Sequence, residues 1–202
     1  MVTIIPFKAV RPTRDKVNLV ASRSYLTYSD ETIKEKLDHN PYTFLHIINP
    51  DYNHPKKATG IDKFKLVKKR FNQFVNQGIL NKDTSENYYI YQKSDQLNTF
   101  TGIIGAASIE DYLSNKIKKH EQTIEKREEM FCNYLDTTGF NADPVLLAHE
   151  PNKSIKKILN KYTKNRSEYE FTTTNKSMHK LWLVDNIIDI EIIKNAFKDI
   201  KH

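Results

Sequence analysis

The densest cluster of chemically capable side chains is Lys118-Lys119-His120-Glu121, followed by Thr123, Lys126 and Arg127. On a helix, Lys119, Thr123, Lys126 and Arg127 fall on one side by their i, i+4, i+7, i+8 spacing. Such a face could hold phosphate, with Lys and Arg supplying charge and Thr a hydroxyl. His120 lies about one turn from Thr123 and would set a titratable imidazole beside the Glu121 carboxylate. Either group could accept a proton. From these residues alone a solvated helix face is the favoured reading. Glu121, Glu125, Glu128 and Glu129 nearly balance the cations and can pair with them along the helix.

A second group is Lys8, Arg11, Arg14 and Arg23. Pro6 and Pro12 stiffen the segment that carries Lys8 and Arg11 and could hold both cations in place. The competing reading is a basic surface loop. Arg23-Ser24-Tyr25 reads equally as a polar loop facing a ligand or as a turn. A third basic group is Lys153, Lys156, Lys157, Lys161, Lys164 and Arg166, with no acid between its ends. It suits a nucleic-acid phosphate track, but the outer face of an amphipathic helix is preferred. Tyr88, Tyr89 and Tyr91 could stack on bases, yet their context lacks the glycines and cations of an RNA-binding strand, and packing is preferred.

Other chemistries find little support. His39, His46, His54, His120, His149, His179 and His202 are scattered, with no Cys pair and no HExxH spacing, so no metal site is expected. Cys132, the single cysteine, sits on an expected helix without an evident base and reads as packing rather than a nucleophile. With 5 glycines in all, no Gly-rich phosphate loop can form.

Composition sets the frame for these groups. The chain has 202 residues, enough to bury a core, and is expected to form a single domain. Hydrophobic residues make up 38% and charged residues 28%, but 11 Tyr and 10 Phe argue for a folded chain. One cysteine excludes an internal disulfide and fits a reducing compartment. No signal peptide or bilayer-length apolar run is evident, so a cytoplasmic protein without membrane contact is expected. The net charge of +7 invites nucleic acid as a partner. An AT-rich coding bias explains it nearly as well, since Lys greatly outnumbers the Arg that specific DNA readers favour.

The patterning then predicts the elements that must position these groups. Thr3-Ile4-Ile5 reads as a strand ended by Pro6, and Ser29 caps a helix that Asn40-Pro41 stops. The apolar run 44–48 reads as a buried strand. Ile61, Phe64, Val67, Phe71, Phe74 and Val75 mark a helix ending near Gly78. Tyr88 to Tyr91 and Thr99 to Ala107 suggest a hairpin. A long helical segment follows from 109 to about 135, broken at most once, then a buried strand at 144–148. Ile155, Ile158, Leu159 and Tyr162 mark another helix. Segments 168–173 and 181–184 pair as strands, and Asp189 caps a last helix to Lys198. The sum is an α+β fold with a mixed or antiparallel sheet and several amphipathic helices.

An ordered set of segments resembles a bacterial and archaeal family of unknown function related to ParB. The segments are Ile5-Pro6-Phe7-Lys8-Ala9-Val10-Arg11-Pro12, Asn40-Pro41-Tyr42-Thr43-Phe44-Leu45-His46-Ile47-Ile48-Asn49-Pro50, Tyr89-Ile90-Tyr91-Gln92, Thr101-Gly102-Ile103-Ile104, Ile117-Lys118-Lys119-His120-Glu121-Gln122-Thr123 and Pro144-Val145-Leu146-Leu147. The resemblance implies a ParB/sulfiredoxin-like fold, a superfamily of nucleotide- and phosphate-handling proteins. It raises Lys8, Arg11, Arg23, Lys118, Lys119, Thr123 and Arg127 to candidate phosphate- or nucleotide-binding residues. His120 and Glu121 become candidate catalytic residues. ADP, ATP or CTP with Mg would be the ligand, and a small-molecule kinase the implied activity of the intact protein. Partition-type DNA binding and a non-catalytic scaffold are the alternatives.

Two departures stand out. Ser22-Arg23-Ser24-Tyr25 replaces a usual Ser-Pro-Pro-Tyr, and Lys118-Lys119 replaces Arg and Lys. Family members continue into an Asp-Gly-His-His-Arg motif, so this chain is expected to represent the N-terminal portion and to lack full activity.

Overall fold

The computed structural model describes residues 2–23, 27–118 and 125–200. In chain order the elements are β1 (Ile4–Ile5), β2 (Val10–Pro12), α1 (Val17–Val20), α2 (Asp30–His39), α3 (Leu45–Ile48), α4 (Gly60–Asn76), β3 (Leu80–Lys82), β4 (Tyr88–Ser94), β5 (Thr99–Ile104), β6 (Ala106–Ala107), α5 (Ile109–Leu113), α6 (Glu125–Thr138), α7 (Lys153–Thr163), β7 (Tyr169–Thr172), β8 (Met178–Val184) and α8 (Ile187–Lys198). Helices and antiparallel sheets are mixed, as an α+β fold requires. No described helix is long and apolar enough to cross a membrane. The chain divides into two compact units, one of residues 1–14, 82–121 and 146–202, the other of 15–81 and 122–145.

The first unit is organised by a four-stranded antiparallel sheet in the order β5-β4-β8-β7. Strand residues alternate between its faces. Tyr88, Ile90, Trp182 and Val184 point to the core face and meet Ile155 and Ile158 of α7 and Ile190, Ile193, Ala196 and Phe197 of α8. Each helix begins where a side chain satisfies its first amides. Asn152 accepts from the N–H groups of Ser154 and Ile155 at 2.9 and 3.1 Å, and Asn186 from those of Ile188 and Asp189 at 3.0 and 3.2 Å. Asp189 is therefore not the cap. It is buried in the first turn of α8, where it accepts from Lys161 at 2.6 Å and from the Tyr162 hydroxyl at 2.9 Å.

The N-terminal strand is fixed to the same core. Tyr88 donates to the carbonyl of Ile4 at 2.6 Å, and Asp111 accepts from the Thr3 N–H at 2.7 Å. Gly105 lies where β1 passes close. A Cβ there would sit 2.7 Å from Ile4 Cγ2 and 3.0 Å from the Tyr88 ring. The expected long helix from residue 109 stops at Leu113 because Asn115 takes the left-handed conformation, at φ 57°, just past the Ser114 cap.

The second unit is helical. Val67 and Phe74 of α4 are buried with Val20, Ile47, Ile79 and Leu80, while Tyr134 and Phe140 pack at the margin. Phe71 and Phe140 stack with ring centroids 4.1 Å apart. The end of α4 is a complete Schellman stop. Gly78 at φ 66° donates to Val75 O at 3.0 Å, and Ile79 to Phe74 O at 3.0 Å. The apolar run 44–48, expected as a strand, is instead the short helix α3, with Leu45 and Ile47 buried. Periodicity cannot separate a four-residue helix from a strand when both bury alternate residues. Segment 144–148 is not a strand either. Among the described residues no strand pairs with it, and Val145 and Leu146 are 81% and 95% exposed. Cys132, expected as packing, lies exposed on α6.

Candidate functional site

Segment 6–12 of the first unit is held at Phe7, Ala9, Arg11 and Pro12. The N–H and carbonyl of Phe7 each bond to Asn87 at 3.0 Å. Ala9 donates its N–H to the Tyr89 hydroxyl at 3.0 Å and accepts from the Asp83 N–H at 2.9 Å. Lys8 lies between these two fixed residues, and its side chain is exposed. The two prolines restrict the chain further, as the sequence predicts.

Arg11 is engaged from two sides. Its Nε lies 2.9 and 3.1 Å from the two carboxylate oxygens of Asp83. Its Nη1 donates to Glu168 at 3.1 Å and to the Tyr169 hydroxyl at 2.6 Å, and the guanidinium carbon stands 5.4 Å from the Tyr169 ring centre. Tyr169 in turn donates to the carbonyl of Pro12. The Tyr89 hydroxyl donates to Asp83 at 2.6 Å. Arg14 completes the cluster, donating to the carbonyls of Ser167 and Glu168 at 3.0 and 2.9 Å.

Two arginines and two carboxylates give this half-buried network no net charge. Burial alone would lower the Arg11 pKa, but its bonds to Tyr169 and Glu168 and the charge of Asp83 reverse this, and the net shift is upward. Burial and the bond to Asp83 push the Tyr89 hydroxyl up to about 12, so it remains a donor at neutral pH. Burial raises Tyr169 as well, against the opposing pull of Arg11. A phosphate reaching Nη1 of Arg11 would have to displace Glu168. The network as it stands ties segment 6–12 to the start of β7.

The remaining candidates are dispersed. Lys118 is exposed in the first unit. Lys119, His120, Glu121 and Thr123 lie outside the described residues, as does the side chain of Lys126. Arg23 and Arg127 belong to the second unit and are exposed. The Arg23 guanidinium lies over the Tyr28 ring at 4.8 Å, and the backbone N–H of Arg23 donates to the Tyr28 hydroxyl at 3.0 Å. On α7, Lys153, Lys156, Lys157, Lys161 and Lys164 line one outer face around Asn160, opposite the buried Ile155 and Ile158. Of these, Lys161 is bonded to Asp189. Among the described residues no group of three His, Cys, Asp or Glu is placed to hold a metal ion.

The sequence offers no direct sign of Asp83, Glu168 or Tyr169 as partners of Arg11. It also leaves unassigned the sheet face opposite the core. Register places three rows there. Ile104, Tyr89 and Leu183 form the first, Gly102, Tyr91, Leu181 and Tyr169 the second, and Phe100, Lys93, His179 and Phe171 the third. The Tyr91 hydroxyl is hydrogen-bonded to His179 Nδ1 at 2.6 Å, and Phe171 stacks on the His179 ring at 5.0 Å and 9°. Alternation within β7 and β8 was the available signal.

Fold and site together define an α+β protein with a cation-bearing, hydrogen-bonded N-terminal segment laid against an antiparallel sheet. The family model described as "Protein of unknown function (DUF1015)" matches residues 4–202, and the chain belongs to that family. No curated protein and no solved structure matches it.

Proposed function

We propose that this protein handles phosphate or a nucleotide, within a fold related to the ParB/sulfiredoxin superfamily. The observation that carries the reading is Lys8. Its ammonium projects from a backbone fixed on both sides by hydrogen bonds to Asn87, Tyr89 and Asp83. An anion bound there would have to order the Lys8 side chain alone, since the backbone that carries it is already fixed. Lys118 and Lys119 would add charge, and Arg11 would be a further cation once Glu168 is displaced; Arg23, Thr123 and Arg127 belong to the second unit. ADP, ATP or CTP with Mg is the ligand class. In a phosphotransfer reaction, His120 or Glu121 would take the proton from the attacking hydroxyl. The new O–P bond would form as the bond to the departing nucleotide oxygen breaks, with Mg and the cations offsetting the developing charge.

Calorimetric titration with ADP, ATP and CTP in the presence of Mg tests this. Binding is expected, and Lys8→Ala is expected to weaken it about tenfold, the worth of one charge-assisted contact. Absence of binding both here and in a family member carrying Asp-Gly-His-His-Arg would refute the reading.

The lysine face of α7 favours a second reading, DNA binding through phosphate contacts. It requires affinity for duplex DNA that falls steeply between about 50 and 200 mM salt, as counterion release dictates. Fluorescence anisotropy flat at low salt would eliminate it.

A further inference from the structure

Segment 6–12 covers part of the sheet face opposite the core. Phe7 packs on Tyr89 with ring centroids 5.2 Å apart, and Arg11 lies over Tyr169. The rest of the face, running through Gly102, Tyr91, Phe100, Lys93, His179 and Phe171, is a different kind of surface. Phe100 is 66% exposed, an unusual position for a large aromatic on a strand. Gly102 sits beside Tyr91 in the register and between Phe100 and Ile104 on its own strand. A Cβ built on Gly102 meets nothing within 4 Å, so the space above the strand is open. Glycine inside a strand sacrifices packing and often marks the close approach of a ligand. At Gly102 it leaves open the position opposite Tyr91 in the register.

The chemistry of this gap is specific. Its neighbours in the register are aromatic: Tyr91, Phe100 and, across the sheet, the stacked pair Phe171 and His179. Lys93 is paired in the register with both Phe100 and His179 and is exposed. None of the eleven register positions on this face is acidic. Aromatic side chains with Lys93 beside them, and Asp83 and Glu168 engaged by Tyr89 and Arg11 at the covered end, suit a planar, electron-rich ring attached to an anion. A purely apolar partner would gain nothing from Lys93. Gly102 is the one glycine in these rows, so a single position lacks a side chain, which suits one base better than a run of them.

We propose that this gap is a stacking subsite for the base of a free nucleotide, with Tyr91 and Phe100 as walls and Gly102 as floor. The inference rests on the nucleotide reading above and names the part of the ligand that the cations of segment 6–12 do not address. It places the base on the open rows of the sheet and the phosphates toward the end that segment 6–12 covers.

The test compares ADP, pyrophosphate and adenosine on the full chain and on Gly102→Val and Phe100→Ala. Burial of Trp182 in the core makes its fluorescence a check that each variant is folded. ADP is expected to bind at least about tenfold more tightly than pyrophosphate, the gain typical of stacking one base. Each substitution should remove about tenfold of ADP affinity and leave pyrophosphate affinity unchanged. Adenosine at saturating concentration should shift the Gly102 amide resonance. If ADP binds no better than pyrophosphate, or both folded variants bind ADP like the parent, the subsite is refuted while phosphate binding stands. If pyrophosphate fails to bind but adenosine still shifts Gly102, the phosphate reading falls and the subsite survives. Binding of single-stranded DNA through these residues, with ADP ignored, would overturn the free-nucleotide assignment.

Discussion

At the scale of single residues, Arg11 shows how a motif can be legible while its role is not. Its position between two prolines marks it as a held cation, but the groups that hold it lie 72 and 157 residues away. No local pattern encodes that meeting. Arg11→Lys keeps the charge and loses the fork that spans Asp83 and Glu168. It is expected to cost about 2 kcal/mol in urea denaturation, the range for hydrogen bonds to charged partners. A pH effect belongs to the same scale. Burial lowers the pKa of His46, with Arg70 adding to the effect, and burial lowers that of His179, with Lys93 adding. The folded protein therefore favours both imidazoles neutral, whereas the unfolded chain binds their protons near 6.5. Their contribution to stability is complete above that pH and is lost as pH falls through the lower folded values. The melting temperature should drop between about pH 7.5 and 5.5, and His179→Gln should reduce the drop. An unchanged slope in the variant would remove His179 as a cause.

At the scale of elements, the sequence is most informative where local chemistry decides the outcome. Ser29 before α2, Gly78 after α4 and the apolar spacing of α4 and α7 each announce a boundary or a face, and the structure follows them. Gly78→Ala is expected to destabilise by about 1–2 kcal/mol, because a Cβ strains the left-handed stop of α4. Chemical denaturation measures this directly. Asp189→Asn should cost more than the removal of an exposed ion pair, since Asp189 is buried against Lys161 and Tyr162. Equal stability of the variant would show that the contact between α7 and α8 is carried by Ile155, Ile158, Ile190 and Ile193 alone. Legibility fails for short apolar runs. Residues 44–48 and 144–148 carry similar hydrophobicity, yet one becomes a buried helix and the other an exposed connection. The difference lies in which tertiary partners each finds, and composition does not specify partners. The same limit hid the aromatic sheet face, whose members come from four strands and are assembled only by register.

At the scale of the whole molecule, residues 141–151 form an exposed connection without helix or strand. Limited chymotrypsin digestion is expected to cut first at Leu146 or Leu147, where large apolar side chains meet the enzyme without unfolding an element. Primary cleavage within α4 or β4 would contradict this description. The sheet carries a further consequence for how the chain reaches its structure. Strand β4 lies between β5, its immediate successor, and β8, whose register joins Tyr88 to Val184 and Ser94 to Met178. During synthesis the first unit can therefore form its hairpin early but must hold one side of its central strand unpaired until nearly the whole chain has emerged. The second unit needs nothing beyond residue 145. Such long sequence separation slows folding. It also leaves an apolar strand edge available to other chains for as long as β8 is missing. The expected signature is a helical intermediate that forms before Trp182 fluorescence reaches its native value, and whose yield falls as protein concentration rises.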